Sequence, residues 1–122
     1  MGKFVIKETK SGGVKFDLKA GNGQVIASSQ VYKALSSCKG GIESVRNNCL
    51  AQVEYQTEEG YEVLKNPKYE VYADKAGEFR FRLKAKNGQI IATSEGYTTM
   101  RACKNGIASV GKNAPDAPVE QE

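Results

Sequence analysis

One side chain that enzymes often use for acid–base catalysis is missing from this sequence. It contains no histidine, which excludes histidine general bases, His-bearing zinc sites and Ser–His or Cys–His catalytic pairs. Its three cysteines, Cys38, Cys49 and Cys103, lack the spacing of a zinc site, and their odd number favours a reducing compartment. We expect Cys38 and Cys103 to be buried on an apolar helix face, where a thiol is a small hydrophobic group. The sequence therefore predicts no catalytic residue, no cofactor and no metal site.

Recognition of a polyanion is a second kind of chemistry that the composition allows. The 122 residues include 18 Lys and Arg against 14 Asp and Glu, which gives a net charge of +4. The positive excess is divided equally between residues 4–49 and 69–114, while the tail 115–122 is acidic. A weak positive charge of this kind is compatible with nucleic acid as a partner, but it does not by itself specify one.

The two equally charged blocks are copies of one another. An offset of 65 residues aligns 4–49 with 69–114 without a gap, and 20 of the 46 aligned positions are identical. The chain is therefore an internal duplication. No Asp or Glu is among the identical positions, which argues against a catalytic carboxylate kept by both copies.

Each copy begins with three predicted strands. The run 14–20, like its counterpart 65 residues later, alternates between apolar and charged side chains, which is typical of a half-buried strand. Gly12 is expected at positive φ in the turn before this run, and Asn22-Gly23 after it predicts a type I′ hairpin turn. A third strand follows, with the sequence QVIASS in the first copy and QIIATS in the second.

After the third strand the periodicity changes from that of a strand to that of a helix. The apolar residues that share one helix face in the first copy are Leu35, Cys38, Ile42 and Val45, and the second copy repeats the pattern. The residues AQVEYQT then predict a fourth strand, and PDAPVEQE predicts a weaker counterpart because it contains two prolines. One such unit of about 55 residues buries too little surface to be stable alone.

These elements predict an α+β fold made of two tandem β-β-β-α-β repeats. We place repeat 1 at residues 1–57, a linker at 58–68 and repeat 2 at 69–122, with both repeats folding as one domain. The expected arrangement is one pseudo-two-fold antiparallel sheet with both helices on one face. Because the N-terminus lacks the apolar core of a signal peptide and no apolar run is long enough for a membrane helix, we expect a cytoplasmic protein that binds no membrane.

The second copy also resembles a known repeat. Its segment DKAGEFRFRLKAKNGQIIATSEGY, followed by CKNGIASV, is similar to the repeat of the YegP-like family of small, mostly bacterial proteins, and the first copy follows the same order of motifs. The resemblance implies paired units in one sheet, with the C-terminal strand of each unit swapped onto the other. It also implies that relatives with one unit assemble as dimers and that this tandem chain is a monomer. The family has no established activity.

The helix-free face of the second hairpin is the candidate binding surface. Its expected residues are aromatic, cationic or apolar: Tyr72, Arg80, Arg82, Lys84, Ile91 and Thr93. The predicted cross-strand pairs are Glu70–Arg82, Tyr72–Arg80, Arg80–Glu95, Arg82–Thr93 and Lys84–Ile91, with Ile91 exposed. Such a mixture is found on single-strand nucleic-acid platforms, but also on solvated faces that carry only cross-strand ion pairs.

We interpret the protein as a non-enzymatic binding module whose partner is another protein, because an open sheet face is left free and no catalytic constellation is visible. Two alternatives stay open. The first is weak, sequence-tolerant binding of single-stranded nucleic acid by the face around Arg82. The second is a small enzyme with a site between the repeats.

Overall fold

The order of helices and strands repeats once along the chain. A computed structural model describes residues 2–122. The elements are β1 (Lys3–Glu8), β2 (Val14–Lys19), β3 (Val25–Ser28), α1 (Leu35–Asn48), β4 (Gln52–Tyr55), β5 (Lys68–Ala73), β6 (Phe79–Lys84), β7 (Ile90–Thr93), α2 (Met100–Asn113) and β8 (Val119–Gln121). A 3-10 turn, Ala114–Asp116, precedes β8. The predicted α+β class is confirmed.

The eight strands of residues 2–122 form one sheet in the order β4-β5-β6-β7-β3-β2-β1-β8. The exchange of C-terminal strands that the family resemblance implied is confirmed. β4, which follows the helix of the first repeat, pairs with β5 of the second repeat, and β8 pairs with β1 of the first. When every strand is replaced by its counterpart in the other repeat, the result is the same order read from the opposite edge of the sheet.

The sheet is mixed, so the prediction of a purely antiparallel sheet is wrong for the exchanged strands. β4 lies parallel to β5 and β8 lies parallel to β1, whereas the other neighbours are antiparallel. Alternation of apolar and polar residues indicates which face a side chain occupies. It contains no information on the direction in which a strand joins a partner that is distant in sequence.

The hairpin turns confirm one prediction and correct another. Gly12 has φ of +86° and its counterpart Gly77 has +82°, as expected. The Asn22-Gly23 turn is not of type I′, because among residues 2–122 only glycines have positive φ and a type I′ turn needs two such residues. Instead, the Ala20 N–H bonds to the Gln24 carbonyl across a three-residue loop in which Gly23, at φ +87°, takes the left-handed conformation.

One hydrophobic core lies between the sheet and the helices. Both helices contribute their apolar faces to it, and Cys38 and Cys103 are fully buried there, as predicted. A Cβ on Gly41 would lie 2.9 Å from Tyr32 Cζ and 3.1 Å from Phe16 Cε2, so the absence of a side chain allows the helix to approach the sheet closely. Among residues 2–122, neither helix is both long and apolar enough to cross a membrane.

Candidate functional site

The face of the sheet that points away from the helices is built in the second repeat by β5, β6 and β7. Its register pairs Glu70 with Arg82, Tyr72 with Arg80 and Arg82 with Thr93, which confirms three of the predicted cross-strand pairs. Because successive side chains of a strand alternate between the two faces, these residues lie on the side opposite to the buried Phe81.

A β-bulge after Leu83 changes another predicted pair. Lys84 pairs with Ile90 rather than with Ile91, because the register shifts between Leu83 and Lys84. The prediction that Ile91 is exposed is therefore wrong: Ile91 is 4% exposed and belongs to the core, whereas Ile90 is 40% exposed. The sequence signal for Ile90 was the pair of adjacent isoleucines after the turn, since a bulge adds one residue to a strand and moves its neighbour to the other face.

A buried carboxylate organises the cations of this face. Glu70 is 3% exposed, and its oxygens lie 2.6 Å from Arg82 Nε and 3.2 Å from each of Lys68 Nζ and Lys84 Nζ. Burial alone would raise the pKa of Glu70, but hydrogen bonds from these three cations outweigh it and lower the pKa. The Arg82 guanidinium also lies 4.5 Å from the centre of the Tyr72 ring. Two of the predicted binding cations are thus ion-paired within the protein.

A second buried carboxylate, Glu54 on β4, extends this network. Its Oε1 accepts hydrogen bonds of 2.7 Å from Lys68 Nζ and from the backbone N–H of Leu64. Burial would raise the pKa of Glu54, but the hydrogen bonds from Lys68, Gln56 and Leu64 prevail and hold it at about 2. Burial would lower the pKa of Lys68, whereas its bonds to Glu54 and Glu70 raise it above the ordinary value. Both members of this pair are therefore charged at neutral pH.

Arg80, the third predicted cation, is bound to Asp74. Arg80 Nε lies 2.7 Å from Asp74 Oδ2, and this hydrogen bond raises the pKa of Arg80. The predicted Arg80–Glu95 pair is not among the ion pairs of residues 2–122. Instead, Arg80 Nη1 donates a hydrogen bond of 3.2 Å to the backbone carbonyl of Ser94.

The matching face of the first repeat carries a different arrangement. Asp17 stands where the second repeat has Arg82, and it is buried. Its carboxylate lies 3.2 Å from Lys7 Nζ and 3.9 Å from Lys15 Nζ, and it accepts a hydrogen bond of 2.6 Å from the Ser28 hydroxyl. The hydrogen bond from Lys7 to Asp17 raises the pKa of Lys7.

A groove of about 510 Å³ follows the seam between the repeats, where β3 meets β7. In the described residues these strands share one paired position, Ser28 with Thr93, so the sheet is loosely joined there. The side chains that give the groove its character are Val25, Ser28, Gln30, Ile90, Thr93 and Glu95. Thr93 is thus a predicted site residue that lines the groove. The predicted cations Arg80, Arg82 and Lys84 are not among its lining residues.

The buried thiols have no basic environment that would activate them. Burial raises the pKa of Cys38 and of Cys49, and it raises the pKa of Cys103 to about 11. All three are therefore protonated at neutral pH and shielded from solvent. Within residues 2–122, no three His, Cys, Asp or Glu side chains form a group that could hold a metal ion.

Comparison with known families matches the duplicated architecture. The model of the family described as "Domain of unknown function (DUF1508)" matches residues 10–54 and 74–121, which is one segment in each repeat. The chain belongs to the DUF1508 family. The resemblance to YegP-like proteins is confirmed as well, because the chain is 43% identical over 113 residues to the UPF0339 protein YegP of Yersinia pestis, covering 93% of this chain and 88% of that protein.

Other relatives extend this comparison. The DUF1508 chain is 58% identical over 52 residues to a UPF0339 protein of Treponema denticola, and this match covers 43% of the present chain but 90% of the relative. That relative is therefore about one repeat long. The solution NMR structure of E. coli yegP, a protein of unknown function, is similar with a TM-score of 0.80 and 36% identity, covering 99% of this chain and 92% of that one.

Proposed function

We propose that this DUF1508 protein is a non-enzymatic interaction module that binds a segment of another protein in the groove between β3 and β7. The observation that carries the proposal is the composition of the groove. Ile90 is exposed and lies with Val25 beside the hydroxyl groups of Ser28 and Thr93. An apolar centre surrounded by hydrogen-bonding groups is typical of a protein interface.

The neighbouring charges support a protein partner over nucleic acid. Arg82 is bound to the buried Glu70 and Arg80 to Asp74, so a phosphate would have to compete with carboxylates already in place. The ring of Tyr72 is covered on one face by the Arg82 guanidinium, which leaves less of it for stacking on a base. A protein segment with an apolar side chain for Ile90 requires none of these ion pairs to break.

Two of the three serines at the groove, Ser29 and Ser94, have hydroxyl bonds that support binding over catalysis. The Ser94 hydroxyl accepts a hydrogen bond of 2.9 Å from the Phe81 N–H and donates one of 2.8 Å to the Glu95 carbonyl. Ser29 makes the same two kinds of bond in the first repeat. A nucleophilic serine needs a base that removes its proton, whereas these hydroxyl protons point at backbone carbonyls.

A monomeric state belongs to the same proposal, since each repeat receives its exchanged strand from the other repeat of one chain. The three unpaired thiols support a reducing compartment such as the cytoplasm.

The test compares the unaltered chain with Ile90→Asp and Val63→Asp. Ile90→Asp places a charge in the groove, whereas Val63 is an exposed aliphatic residue between β4 and β5 and serves as the matched control. Each protein is immobilised and incubated with lysate, with and without nuclease, and the captured proteins are quantified by mass spectrometry. We expect proteins that bind the unaltered chain and Val63→Asp but are reduced about tenfold with Ile90→Asp, as for a central interface contact.

Equal capture by Ile90→Asp would exclude the groove as the site. Capture that disappears after nuclease treatment would favour the nucleic-acid alternative. A generic esterase, phosphatase or nuclease activity that one conservative substitution abolishes would show that the protein is an enzyme.

A further inference from the structure

The groove between α1 and β8 differs in its side chains from the equivalent position between α2 and β4. It has a volume of about 260 Å³, lies at the edge of the sheet and shares no lining residue with the β3–β7 groove. Its lining residues are Lys39, Ile42 and Glu43 of α1 and Val119 and Gln121 of β8. Val119 is exposed although it pairs with the fully buried Phe4, so this edge presents an apolar surface that the protein itself leaves uncovered.

At the opposite edge of the sheet, where α2 faces the exchanged strand β4, an aromatic ring occupies the matching position. Tyr55 on β4 pairs with Val71, and Gln121 on β8 pairs with Ile6, which is the counterpart of Val71. Tyr55 and Gln121 therefore stand at equivalent places in the two repeats. Lys104 of α2 lies over the Tyr55 ring, with Nζ 5.1 Å from the ring centre. This distance is within the range of a cation–π interaction.

The α1–β8 groove keeps the cation of this pair without the ring. Lys39 is the counterpart of Lys104, 65 residues earlier, and it lines the α1–β8 groove. Gln121 offers no aromatic surface to it. The position between α2 and β4 thus shows which kind of side chain fits between such a helix and strand, namely an aromatic ring beneath a lysine.

The β8 strand also has a free edge. In the part of the chain that the structure describes, β8 pairs with β1 alone. The Pro118 carbonyl and the Glu122 N–H bond to β1 at 2.8 and 2.9 Å, so the alternate residues Val119 and Gln121 direct their backbone groups away from the sheet. At the opposite edge, by contrast, the N–H of Glu58 bonds to the last carbonyl of β4.

We propose that the β8 edge and the α1–β8 groove bind an extended segment of a partner protein. The segment adds a ninth strand beside β8 and inserts an aromatic side chain into the groove beneath Lys39. In this mode of recognition the main-chain hydrogen bonds supply affinity and the side-chain pocket supplies specificity. The surface is separate from the β3–β7 groove, so the inference goes beyond the proposed function and stands independently of it.

A different protein fits this surface better than a second copy of the chain. Two copies joined through β8 would bring together residues 114–122, which contain no aromatic side chain. The groove would then stay without the ring that its counterpart holds. The partner is therefore defined by an extended backbone and an aromatic residue.

The first arm of the test uses p-cresol, which reproduces the side chain of tyrosine. It is titrated in the millimolar range against the full ¹⁵N-labelled chain, against Gln121→Tyr, which fills the groove as Tyr55 does, and against the control Gln121→Ala. We expect the amides of Lys39, Ile42 and Val119 to shift in the unaltered chain and in Gln121→Ala, but not in Gln121→Tyr. Shifts of equal size in Gln121→Tyr, or no shift at these amides in the unaltered chain, would overturn the proposal.

The second arm selects random nine-residue peptides displayed on phage against the full chain. Recovered peptides with one aromatic residue at a constant position, which bind Gln121→Tyr at least tenfold more weakly and Ile90→Asp equally well, would support the proposal. Peptides that do not distinguish Gln121→Tyr from the unaltered chain would overturn it. Because Ile90→Asp alters only the β3–β7 groove, failure of this inference and failure of the proposed function give different results.

Discussion

Asp17 in the first repeat and Arg82 in the second stand at equivalent positions with opposite charges. Within the three-stranded units β1–β3 and β5–β7, each repeat nevertheless buries one carboxylate among cations on its helix-free face, and Glu54 of the exchanged strand β4 lies beside the second of these. In the first repeat it is Asp17 on β2, and in the second it is Glu70 on β5, where the first repeat has Val5. Both repeats therefore have a buried, ion-paired carboxylate on the helix-free face, but it stands on the second strand of the first repeat and on the first strand of the second repeat.

The sides that face the helices differ far less. The rings of Phe16 and Tyr32 are stacked at 6.4 Å and 11°, and those of Phe81 and Tyr97 at 6.3 Å and 11°. Close packing penalises any change of volume in a core, whereas a solvated face tolerates exchange of one ion pair for another. The inner faces thus keep the same aromatic packing in both repeats, whereas the outer faces carry different ion pairs.

Separating the repeats is expected to have the largest effect. Residues 1–66 and 67–122, expressed alone, should give no folded monomer, because the first fragment lacks β8 beside β1 and the second lacks β4 beside β5. Heteronuclear NMR and size-exclusion chromatography measure this, and mixing the two fragments should restore the spectrum of the intact chain. A dispersed spectrum from either monomeric fragment would contradict the shared sheet.

Removing the buried carboxylates should lower stability by different amounts on the two outer faces. Glu70→Gln should lower the free energy of unfolding by about 3 kcal/mol, because it leaves Arg82 and Lys84 without a carboxylate and the buried Lys68 with Glu54 as its one remaining ion-pair partner. Asp17→Asn should cost about 1 kcal/mol, because Lys7 and Lys15 are more exposed and solvent screens them. Urea denaturation gives both values. Equal losses would show that the two charge clusters are energetically equivalent.

Substitution of helix glycines should reveal the similarity of the inner faces. Gly41→Ala and Gly106→Ala should each lower stability by about 1–2 kcal/mol, because the new Cβ meets an aromatic ring in both repeats. Gly40→Ala is the control, since its Cβ would have no neighbour within 4 Å and alanine favours a helix by up to about 1 kcal/mol. Thermal unfolding monitored by circular dichroism compares the three variants. Different losses for Gly41→Ala and Gly106→Ala would contradict the equivalence.

The smallest expected effect is on how the free energy of unfolding depends on pH in mild acid. The pKa of Glu54 is about 2 in the folded protein, whereas glutamate in an unfolded chain has a pKa near 4.3. The stabilisation by Glu54 is therefore complete above about pH 5 and is lost as the pH falls towards 2. The difference in unfolding free energy between pH 5 and pH 4 should be smaller in Glu54→Gln than in the unaltered chain.

Glu120→Gln is the control for this measurement. Glu120 occupies the matching position on β8, but it is exposed and its pair with Lys3 is solvated. Comparing Glu54→Gln with Glu120→Gln separates the loss of the buried ion pair from the loss of an exposed carboxylate. If Glu54→Gln kept the pH dependence of the unaltered chain, Glu54 would not contribute to the loss of stability in mild acid.

Much of the fold could be predicted from local periodicity. The alternation in β2 and β6 and the helical spacing of Leu35, Cys38, Ile42 and Val45 follow directly from the geometry of strands and helices. The bulge beside Leu83 could not be predicted in the same way, because the one-residue shift depends on the turn and on the packing of Ile91 in the core. This single shift replaced Ile91 by Ile90 in the candidate site.

The candidate site was predictable only in part. The pairing of Glu70 with Arg82 follows from the hairpin register, but the burial of Glu70 and the bond from Lys68 to Glu54 depend on β4, which joins β5 from the other repeat. The groove at Ser28 and Thr93 arises where strands from different repeats meet, and no local pattern specifies that meeting.

The connection between β4 and β5, residues 56–67, determines how assembly depends on concentration. A single repeat that exchanged its strand in the same way would take it from a second molecule, and its folded fraction would then fall on dilution by mass action. In the tandem chain the connection makes the same encounter intramolecular, at an effective concentration in the millimolar range for a short tether. In the monomeric state proposed above, folding would therefore not depend on protein concentration, and each molecule would present the two outer faces in a ratio of one to one.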